Sequence, residues 1–318
     1  MTSSIACFGL LVADCVTATV DRLPERGTLE IVDRVELHVG GCAANTAIAL
    51  AKLGIGVSLL GGVGTDGLGD FVVRAVRAAG VDTKGVKHFT AVPTAATTVC
   101  VHSDAERSFL HAPGANAVLL QTDVDWEATN GCTVFHIAGP QLMGALEATD
   151  GIAAVAKEAK ARGMLVTLDT VMNPRSLGWA ALKGALPYVD WLLPSEGEAA
   201  RLTGENDIAR QVTFFRDAGA KHVAIKRGSE GSVVFLAGSD PLLVAPFPVS
   251  AVDALGAGDA WVAGFLLGLL RGWETEATAR FASAVGACAV RSYGATTGIC
   301  SEAETLRFIE SHAPRPVI

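Results

Sequence analysis

Short apolar segments alternate with amphipathic ones along most of the chain, and this alternation limits the possible fold more than any other feature. Apolar runs predict buried strands at Ile5–Leu11, Val57–Gly61, Thr133–Ala138, Leu165–Asp169, Trp191–Pro194 and Val223–Lys226. Helical patterns between them predict helices at Ala43–Leu53, Gly69–Ala79, Gly151–Arg162, Glu196–Thr203 and Val212–Ala218. Such an order favours an α/β fold with a mostly parallel sheet and helices on both faces.

Polar residues lie at the predicted strand ends. Asp14, Asp169, Ser195 and Lys226 all occur at or just beyond such an end. Because ligands of open parallel sheets bind outside the carboxyl ends of the strands, we expect these residues near a binding site.

Two stretches break the alternation and predict a small second sheet. Residues 12–40 contain the β-type runs Val16–Val20 and Glu30–Val39, and residues 91–114 contain a hairpin at Thr97–His111. We expect them to form one antiparallel sheet over the ligand-binding end of the core, and we call residues 12–40 and 91–114 the lid. Its apolar face predicts pairing with a second copy of the chain.

The composition favours a globular protein with a small-molecule partner. The chain has 318 residues, half of them apolar, and a net charge of −8, which argues against a nucleic-acid or anionic-membrane surface. Its longest apolar run, Ala260–Leu270, is well short of the ~20 residues of a membrane span, and no secretory signal is evident. Seven cysteines without a CxxC pair indicate reduced thiols and a cytoplasmic protein.

The run Asp253–Trp261 places small residues and two carboxylates directly before an apolar helix. Glycines at 256 and 258 let the backbone approach a ligand, and the first helical turn offers free N–H groups to a phosphate. Asp259 lies in that turn, where it could accept a proton from a hydroxyl. An aspartate that merely caps a buried helix is the structural alternative.

A second and a third glycine cluster occur nearer the N-terminus. Gly40 and Gly41 precede a helix that carries Asn45, whose amide suits sugar hydroxyls, although a glycine turn chosen for tight helix packing is the alternative. Gly62–Gly67 matches GxGxxG and makes an NAD-dependent dehydrogenase a rival. That fingerprint requires a second strand ending in an acid about 20 residues on, whereas Val81–Gly85 is a polar loop.

Together these segments resemble the ribokinase-like carbohydrate kinases, the PfkB family. Gly40–Asn45 and Asp253–Asp259 look like the two signatures of that family, and five further segments support the resemblance: Gly62–Asp66, Gly114–Asn116, Pro194–Glu198, Lys226–Gly231 and Gly294–Gly298. The resemblance extends over essentially the whole chain. It implies a Rossmann-like core, a β-sheet lid often used for dimerisation, and transfer of the ATP γ-phosphate to a sugar hydroxyl. We therefore expect residues 1–318 to form a single catalytic domain.

The resemblance also implies roles for individual residues. The backbone of Gly256, Ala257 and Gly258 would form an anion hole, and Asp259 would be the general base. Phosphoryl transfer requires mainly alignment and charge neutralisation, which backbone donors and Mg²⁺ can supply. The sugar would lie against Asp14, Gly40, Gly41 and Asn45.

Nucleotide and cation residues follow from the same resemblance. The implied ATP-binding residues are Ser195, Lys226, Gly228, Gly231, Ala284, Ala287 and Gly294; small-residue packing is the alternative for the alanines. Glu198 would contact Mg²⁺, through water, and Ser195 stands where the family has asparagine. Many members bind a monovalent cation such as K⁺ through backbone oxygens, here of Asp253, Leu255, Ala289, Ser292, Gly294 and Gly298. Backbone ligands leave little side-chain signature, so the sequence leaves this cation open.

The identity of the substrate stays open at this level. Val12 and Cys42 stand where ribokinases have asparagine and lysine, which disfavours ribose. Arg107 and Arg175 could clamp a carboxylate bidentately, which favours a sugar acid, although a lid arginine is more often solvated. A nucleoside kinase of the same fold, a dehydrogenase and a non-catalytic sugar-binding protein are the alternatives to a sugar or sugar-acid kinase.

Overall fold

The computed structural model describes residues 4–104, 106–171 and 173–312, which form a large and a small sheet. The strands are β1 (Ile5–Gly9), β2 (Val12–Ala18), β3 (Arg34–Gly40), β4 (Val57–Gly64), β5 (Val86–Phe89), β6 (Ala96–Val101), β7 (Arg107–Ala112), β8 (Val134–Ala138), β9 (Leu165–Leu168), β10 (Trp191–Leu192), β11 (His222–Lys226), β12 (Ser232–Phe235) and β13 (Leu242–Val244). The helices are α1 (Cys42–Lys52), α2 (Gly67–Ala78), α3 (Gly114–Val118), α4 (Gly144–Glu147), α5 (Gly151–Ala161), α6 (Trp179–Leu182), α7 (Glu196–Thr203), α8 (Ile208–Asp217), α9 (Ala257–Arg271), α10 (Thr275–Ala289) and α11 (Glu302–Ser311).

The large sheet has the order β13-β12-β11-β10-β9-β8-β1-β4-β5. All pairs from β11 to β5 are parallel, while β12 and β13 add an antiparallel edge. Side chains alternate between the faces of a strand, and Ile5 and Cys7 of β1 pack with α1, α9 and α10, whereas Ala6 and Phe8 pack with α5 and α8. Helices therefore cover both faces, and the predicted fold class is confirmed.

The third glycine cluster is part of a strand. β4 continues to Gly64, so the first glycines of the GxGxxG match lie inside the sheet and not in a turn after it. The strand β5, which the sequence analysis missed, follows α2 and pairs in parallel with β4, but it ends at Phe89 and not at an acid. The acidic residue that the dinucleotide fingerprint requires is thus missing from this strand end.

The lid is a four-stranded sheet in the order β3-β2-β6-β7. β2 with β3 and β6 with β7 are antiparallel pairs, as predicted, but β2 and β6 in the middle are parallel. Parallel neighbours need a long connection, and here the chain passes through α1, β4, α2 and β5 between them. The predicted runs Val16–Val20 and Glu30–Val39 overlap the strands β2 and β3, whose bounds differ from them by one to four residues.

The two faces of the lid differ in chemistry. Asp14 has His38 and Thr97 as its direct neighbours in the sheet, and Thr97 has His111, so these four side chains share one face. The opposite face carries Leu37 and Leu110, which are 40% and 58% exposed. No helix of the described residues combines the length and apolar character that a membrane crossing would need.

Candidate active site

Helix α9 begins in the glycine turn that the sequence singled out. Gly256 has φ of 73°, and a Cβ atom there would lie 2.5 Å from the carbonyl oxygen of Ala295, so only glycine fits this left-handed position. The first turn of α9 carries Asp259. The remainder of the helix is mostly buried and apolar, so packing in the core fixes where that turn points.

Helix α1 brings the second glycine cluster to the same place. Gly41 has φ of 92°, and any side chain on it would overlap the backbone of Leu10 just beyond β1. The tight turn directs Asn45 toward α9, where its Nδ2 donates a 2.8 Å hydrogen bond to Oδ2 of Asp259. The Asn45 Oδ1 atom is buried and has no hydrogen-bond partner among the described residues. A buried amide oxygen without a partner suits a ligand donor such as a sugar hydroxyl.

Asp14 lies beside these two segments. Its carboxylate fills the space where a side chain on Gly40 would be, which explains the need for glycine at that position. Burial raises the pKa of Asp14, while the Thr97 hydroxyl and the neighbouring His38 limit the rise. The structure therefore brings together Asp14, Gly40, Gly41, Asn45 and Asp259.

A mostly buried lysine lies on the side of Asp259 where the nucleotide is predicted. Lys226 ends β11, and its Nζ lies 3.3 Å from Oδ1 of Asp169, the residue after β9. The same Nζ would be only 3.8 Å from a Cβ atom on Gly258. The ammonium group therefore borders the predicted anion hole.

Carboxylates outnumber cations around this lysine, and the pKa values reflect that imbalance. Burial raises the pKa of Asp259 to about 6, and the Asn45 hydrogen bond and the charge of Lys226 restrain it. Burial likewise raises the pKa of Asp169 to about 7, against the attraction of Lys226. Burial alone would lower the pKa of Lys226, but Asp169, Glu198 and Asp259 outweigh it and raise the pKa above its usual value. Three carboxylates therefore act on the one ammonium group of Lys226.

Ser195 and Glu198 form the capping box of helix α7. The backbone N–H of Ser195 donates to Oε2 of Glu198 at 2.8 Å, and the Ser195 hydroxyl accepts from the N–H of Glu198 at 3.4 Å. The Thr170 hydroxyl donates to the same Oε2 atom at 2.8 Å. These contacts fix Glu198 near Lys226 through ordinary helix capping, so the structure gives Ser195 a local role besides the predicted contact with ATP.

Asp253 joins the turn before α9 to two other segments. Its Oδ1 accepts from the N–H of Leu255 at 2.7 Å, and its Oδ2 accepts from the N–H of Gly294 at 2.9 Å. Arg107 of the lid places Nη2 2.7 Å from the same Oδ1 atom. The guanidinium that the sequence analysis offered to a substrate carboxylate thus has a partner within the chain.

The remaining predicted nucleotide and cation residues lie in the turn after β11, on α10 and in the loop after α10. Gly228 and Gly231 shape a short turn after β11, with φ of 54° and 85°. Ala284 and Ala287 lie on α10 in an apolar cluster with Phe247, so their packing alone explains their size. Four of the six residues of the predicted cation site lie at the end of α10 and in the loop after it: Ala289, Ser292, Gly294 and Gly298. A Cβ on Gly298 would lie 2.6 Å from the carbonyl oxygen of Ala289, so that loop folds back on α10.

Several residues of the site have no chemical role predicted from the sequence. Asp169 is expected near a ligand only because it directly follows a strand, β9. Cys42 is partly buried beside Asp259, and both desolvation and the Asp259 charge raise the pKa of its thiol. Thr46, one helical turn from Cys42, donates from its hydroxyl to the backbone oxygen of Asp259 at 3.5 Å. Nothing in the spacing of Cys42 and Thr46 distinguishes them from packing residues.

Comparison with known proteins decides the family. Residues 2–302 match the pfkB family carbohydrate kinase description. The chain belongs to the PfkB family of carbohydrate kinases. Among its relatives, an ATP-dependent ribose-1-phosphate kinase of Halopiger xanaduensis is 32% identical over 288 residues, which cover 91% of this chain and 92% of that protein.

Solved structures of PfkB kinases agree with this assignment. The Arabidopsis thaliana ribokinase complexed with ribose and ATP superposes with a TM-score of 0.83 at 27% identity, over 98% of this chain and 99% of that one. A provisionally assigned E. coli ribokinase II in complex with ATP and Mg²⁺ gives 0.83 at 26% identity, over 98% and 100% of the two chains. The protein is therefore a phosphotransferase of the ribokinase type and not a dehydrogenase.

Proposed function

We propose that this kinase transfers the γ-phosphate of ATP to a hydroxyl of a small sugar or sugar acid, with Asp259 as the general base. The observation that carries the proposal is the junction of the two glycine turns at Asp259. Asp14 and the partnerless Asn45 Oδ1 offer hydroxyl-binding atoms on one side of that carboxylate, and Gly258 and Lys226 offer anion-binding groups on the other. In this proposal Asp259 lies between the sugar hydroxyl that accepts the phosphoryl group and the ATP that donates it.

Asp259 has the properties of a base that works near neutral pH. Its pKa of about 6 leaves the carboxylate mostly deprotonated at pH 7, while it keeps more affinity for a proton than an exposed aspartate. The hydrogen bond from Asn45 uses Oδ2 and fixes the orientation of the carboxylate. The Oδ1 atom would accept the proton of the attacking hydroxyl.

Developing charge on the phosphoryl group would meet three kinds of neutralising group. The N–H groups of Gly256 and Gly258 lie at the positive end of α9, where Lys226 borders them, whereas the N–H of Ala257, also predicted for the anion hole, donates to the carbonyl oxygen of Ala254 at 3.2 Å. If Mg²⁺ binds together with ATP, Glu198 is the residue that would contact it, through water. When bound, Mg²⁺ would neutralise charge on the phosphates. ATP would further contact Ser195 and the turn between Gly228 and Gly231.

A monovalent cation at the predicted site is expected to matter little. Asp253 is one of the residues predicted to bind the cation. Its carboxylate already accepts hydrogen bonds from two backbone N–H groups and contacts the guanidinium of Arg107. A cation placed beside Asp253 would also be repelled by that guanidinium. We therefore expect turnover to change less than about twofold when choline replaces K⁺ at constant ionic strength.

We further propose that the whole chain acts as one catalytic domain and that the lid forms a homodimer. The exposed leucines of its outer face, Leu37 and Leu110, support an interface on this sheet. The cysteines of the described residues are unpaired, which supports a cytoplasmic location.

An assay of ADP release tests the proposed reaction. The panel contains neutral pentoses and hexoses, pentose phosphates, sugar acids and nucleosides, each with and without Mg²⁺. Mg²⁺-dependent ADP release with a sugar or sugar acid supports the proposal. Faster ADP release with a nucleoside would show that the substrate is a nucleoside and not a sugar or sugar acid. Binding of a sugar without ADP release from any member of the panel would favour a non-catalytic sugar-binding protein.

A further inference from the structure

Arg107 is the first residue of the lid strand β7, yet its side chain is only 17% exposed. Its Nη2 atom lies 2.7 Å from Oδ1 of Asp253, whose own side chain is 4% exposed. Most lid arginines would be solvated, so an ion pair buried to this degree indicates a specific contact between the lid and the core.

The carboxylate of Asp253 connects this contact to the anion hole. One of its oxygens accepts from the N–H of Leu255, the residue immediately before Gly256, and the other accepts from the N–H of Gly294. The turn from Gly256 onward in turn packs against Ala295. A single buried carboxylate therefore holds the lid, the start of the anion-hole turn and the loop after α10 in fixed relation.

The Arg107 guanidinium is the charge that makes this arrangement stable. A buried carboxylate that loses its cationic partner is strongly destabilising, because the uncompensated charge remains away from water. Relaxation of Asp253 would move Leu255 and the N–H groups that follow it. Small displacements of preorganised donors reduce the stabilisation of developing charge.

We propose that Arg107 is a positioning residue for phosphoryl transfer: from the lid it fixes Asp253 and thereby the anion-hole turn. This inference rests on the proposed kinase function and deepens it, since a lid residue would help to hold the phosphate-binding backbone. It differs from the prediction that Arg107 clamps a substrate carboxylate. A clamp would act on one class of substrate, whereas a positioning role affects every substrate alike.

A double-mutant cycle separates the two roles. The variants are Arg107→Met, Asp253→Asn and the pair together, with kcat and KM measured for ATP and for each accepted sugar. We expect Arg107→Met to lower kcat about tenfold or more by the same factor for every sugar, with little change in the sugar KM. The double variant should be no slower than Asp253→Asn alone. Additive losses, or a loss confined to the KM of sugar acids, would overturn the proposal.

Two controls complete the experiment. Arg34→Met removes another lid arginine, whose guanidinium stacks over Tyr293 beside Gly294, and should leave kcat within about twofold. Thermal unfolding of the wild type and of the three variants of the cycle gives a readout that does not depend on turnover. Arg107→Met should lower Tm, and it should lower it less in the Asp253→Asn background. If no substrate is phosphorylated but the loss of Tm is smaller in the Asp253→Asn background, the proposed function fails while the Arg107–Asp253 link stands. Equal losses of Tm in both backgrounds would reject the link itself.

Discussion

Asn45 Nδ2 donates a 2.8 Å hydrogen bond to Oδ2 of Asp259 across 214 residues of sequence. This bond joins the first turn of α1 to the first turn of α9, so each glycine-rich turn helps to position the other. It also stabilises the charged form of Asp259, because a hydrogen bond to a carboxylate lowers its pKa. The bond thus adjusts both the geometry and the basicity of the proposed base.

The first prediction concerns the pH dependence of turnover. A base must be deprotonated to act, so kcat/KM should fall about tenfold per pH unit below about pH 6, the pKa of Asp259. Asn45→Ala removes an interaction that lowers this pKa, so the acid limb should move to higher pH. Profiles between about pH 5 and about pH 9 measure the shift. Thr46→Val serves as control, because Thr46 contacts only the backbone oxygen of Asp259; an equal shift in both variants would contradict the assignment.

The second prediction is that Asp259→Asn inactivates without unfolding. Turnover should fall about 100-fold or more, since the base is removed while the shape is kept. Burial raises the pKa of Asp259 from 3.8 in the unfolded chain to about 6 in the folded protein, so folding favours the protonated carboxyl. The resulting gain in stability is fully present below pH 3.8 and is lost as the pH rises through about 6. At neutral pH the charged group therefore costs about 3 kcal/mol. Asp259→Asn should unfold at a Tm no lower than the wild type at about pH 8, and near-normal turnover in that folded variant would remove Asp259 from the mechanism.

Much of the fold could be predicted because it depends on local patterns. Alternating strands and helices determined the parallel sheet, and the polar-apolar alternation of Glu30–Val39 indicated a half-exposed strand. The parallel pairing of β2 with β6 could not be predicted, because it depends on how the intervening helices and strands cross the sheet. Similarly, α9 was signalled by glycines and a long apolar run, while the edge strand β5 is too short and polar to show a clear period.

Within the site, the backbone features were more predictable than the side-chain pairs. Gly41 and Gly256 occupy positive-φ positions that few other residues tolerate, so the sequence marks them directly. The Lys226–Asp169 and Arg107–Asp253 contacts join residues from distant elements. An isolated arginine or aspartate carries no sign of such a partner, and only the folded chain identifies it.

The third prediction contrasts two glycines of the anion hole. A methyl group on Gly258 has room in the folded protein, since its nearest neighbour would be Lys226 Nζ at 3.8 Å, but it would occupy space beside the transferred phosphoryl group. Gly258→Ala should therefore fold normally and lose about tenfold or more in kcat/KM for ATP. Gly256→Ala should instead lose about 2 kcal/mol or more of unfolding free energy, because φ is positive and Ala295 is too close.

Chemical denaturation and steady-state kinetics on both variants distinguish these effects. Gly67→Ala is the matched control, since no heavy atom lies within 4 Å of its added Cβ and it begins α2 outside the site. This control should change neither stability nor turnover appreciably. Wild-type kinetics in Gly258→Ala would show that the phosphoryl group does not lie against this turn.

The last prediction tests the lid as a dimer interface. Leu37 and Leu110 lie on the face of the lid opposite Asp14, where each is separated from the site by the sheet itself. Burying such leucines against a second copy would contribute about 1.5 to 3 kcal/mol each, and a lysine at either position would bring a charge into that interface. The variant Leu37→Lys/Leu110→Lys should therefore be monomeric in analytical ultracentrifugation at concentrations where the wild type is dimeric. Leu243→Lys is the control: it changes a leucine that is 73% exposed, on the edge strand β13 of the large sheet, and should leave the dimer intact. A monomeric wild type, or a dimer that survives both lid substitutions, would place the apolar lid face outside any interface.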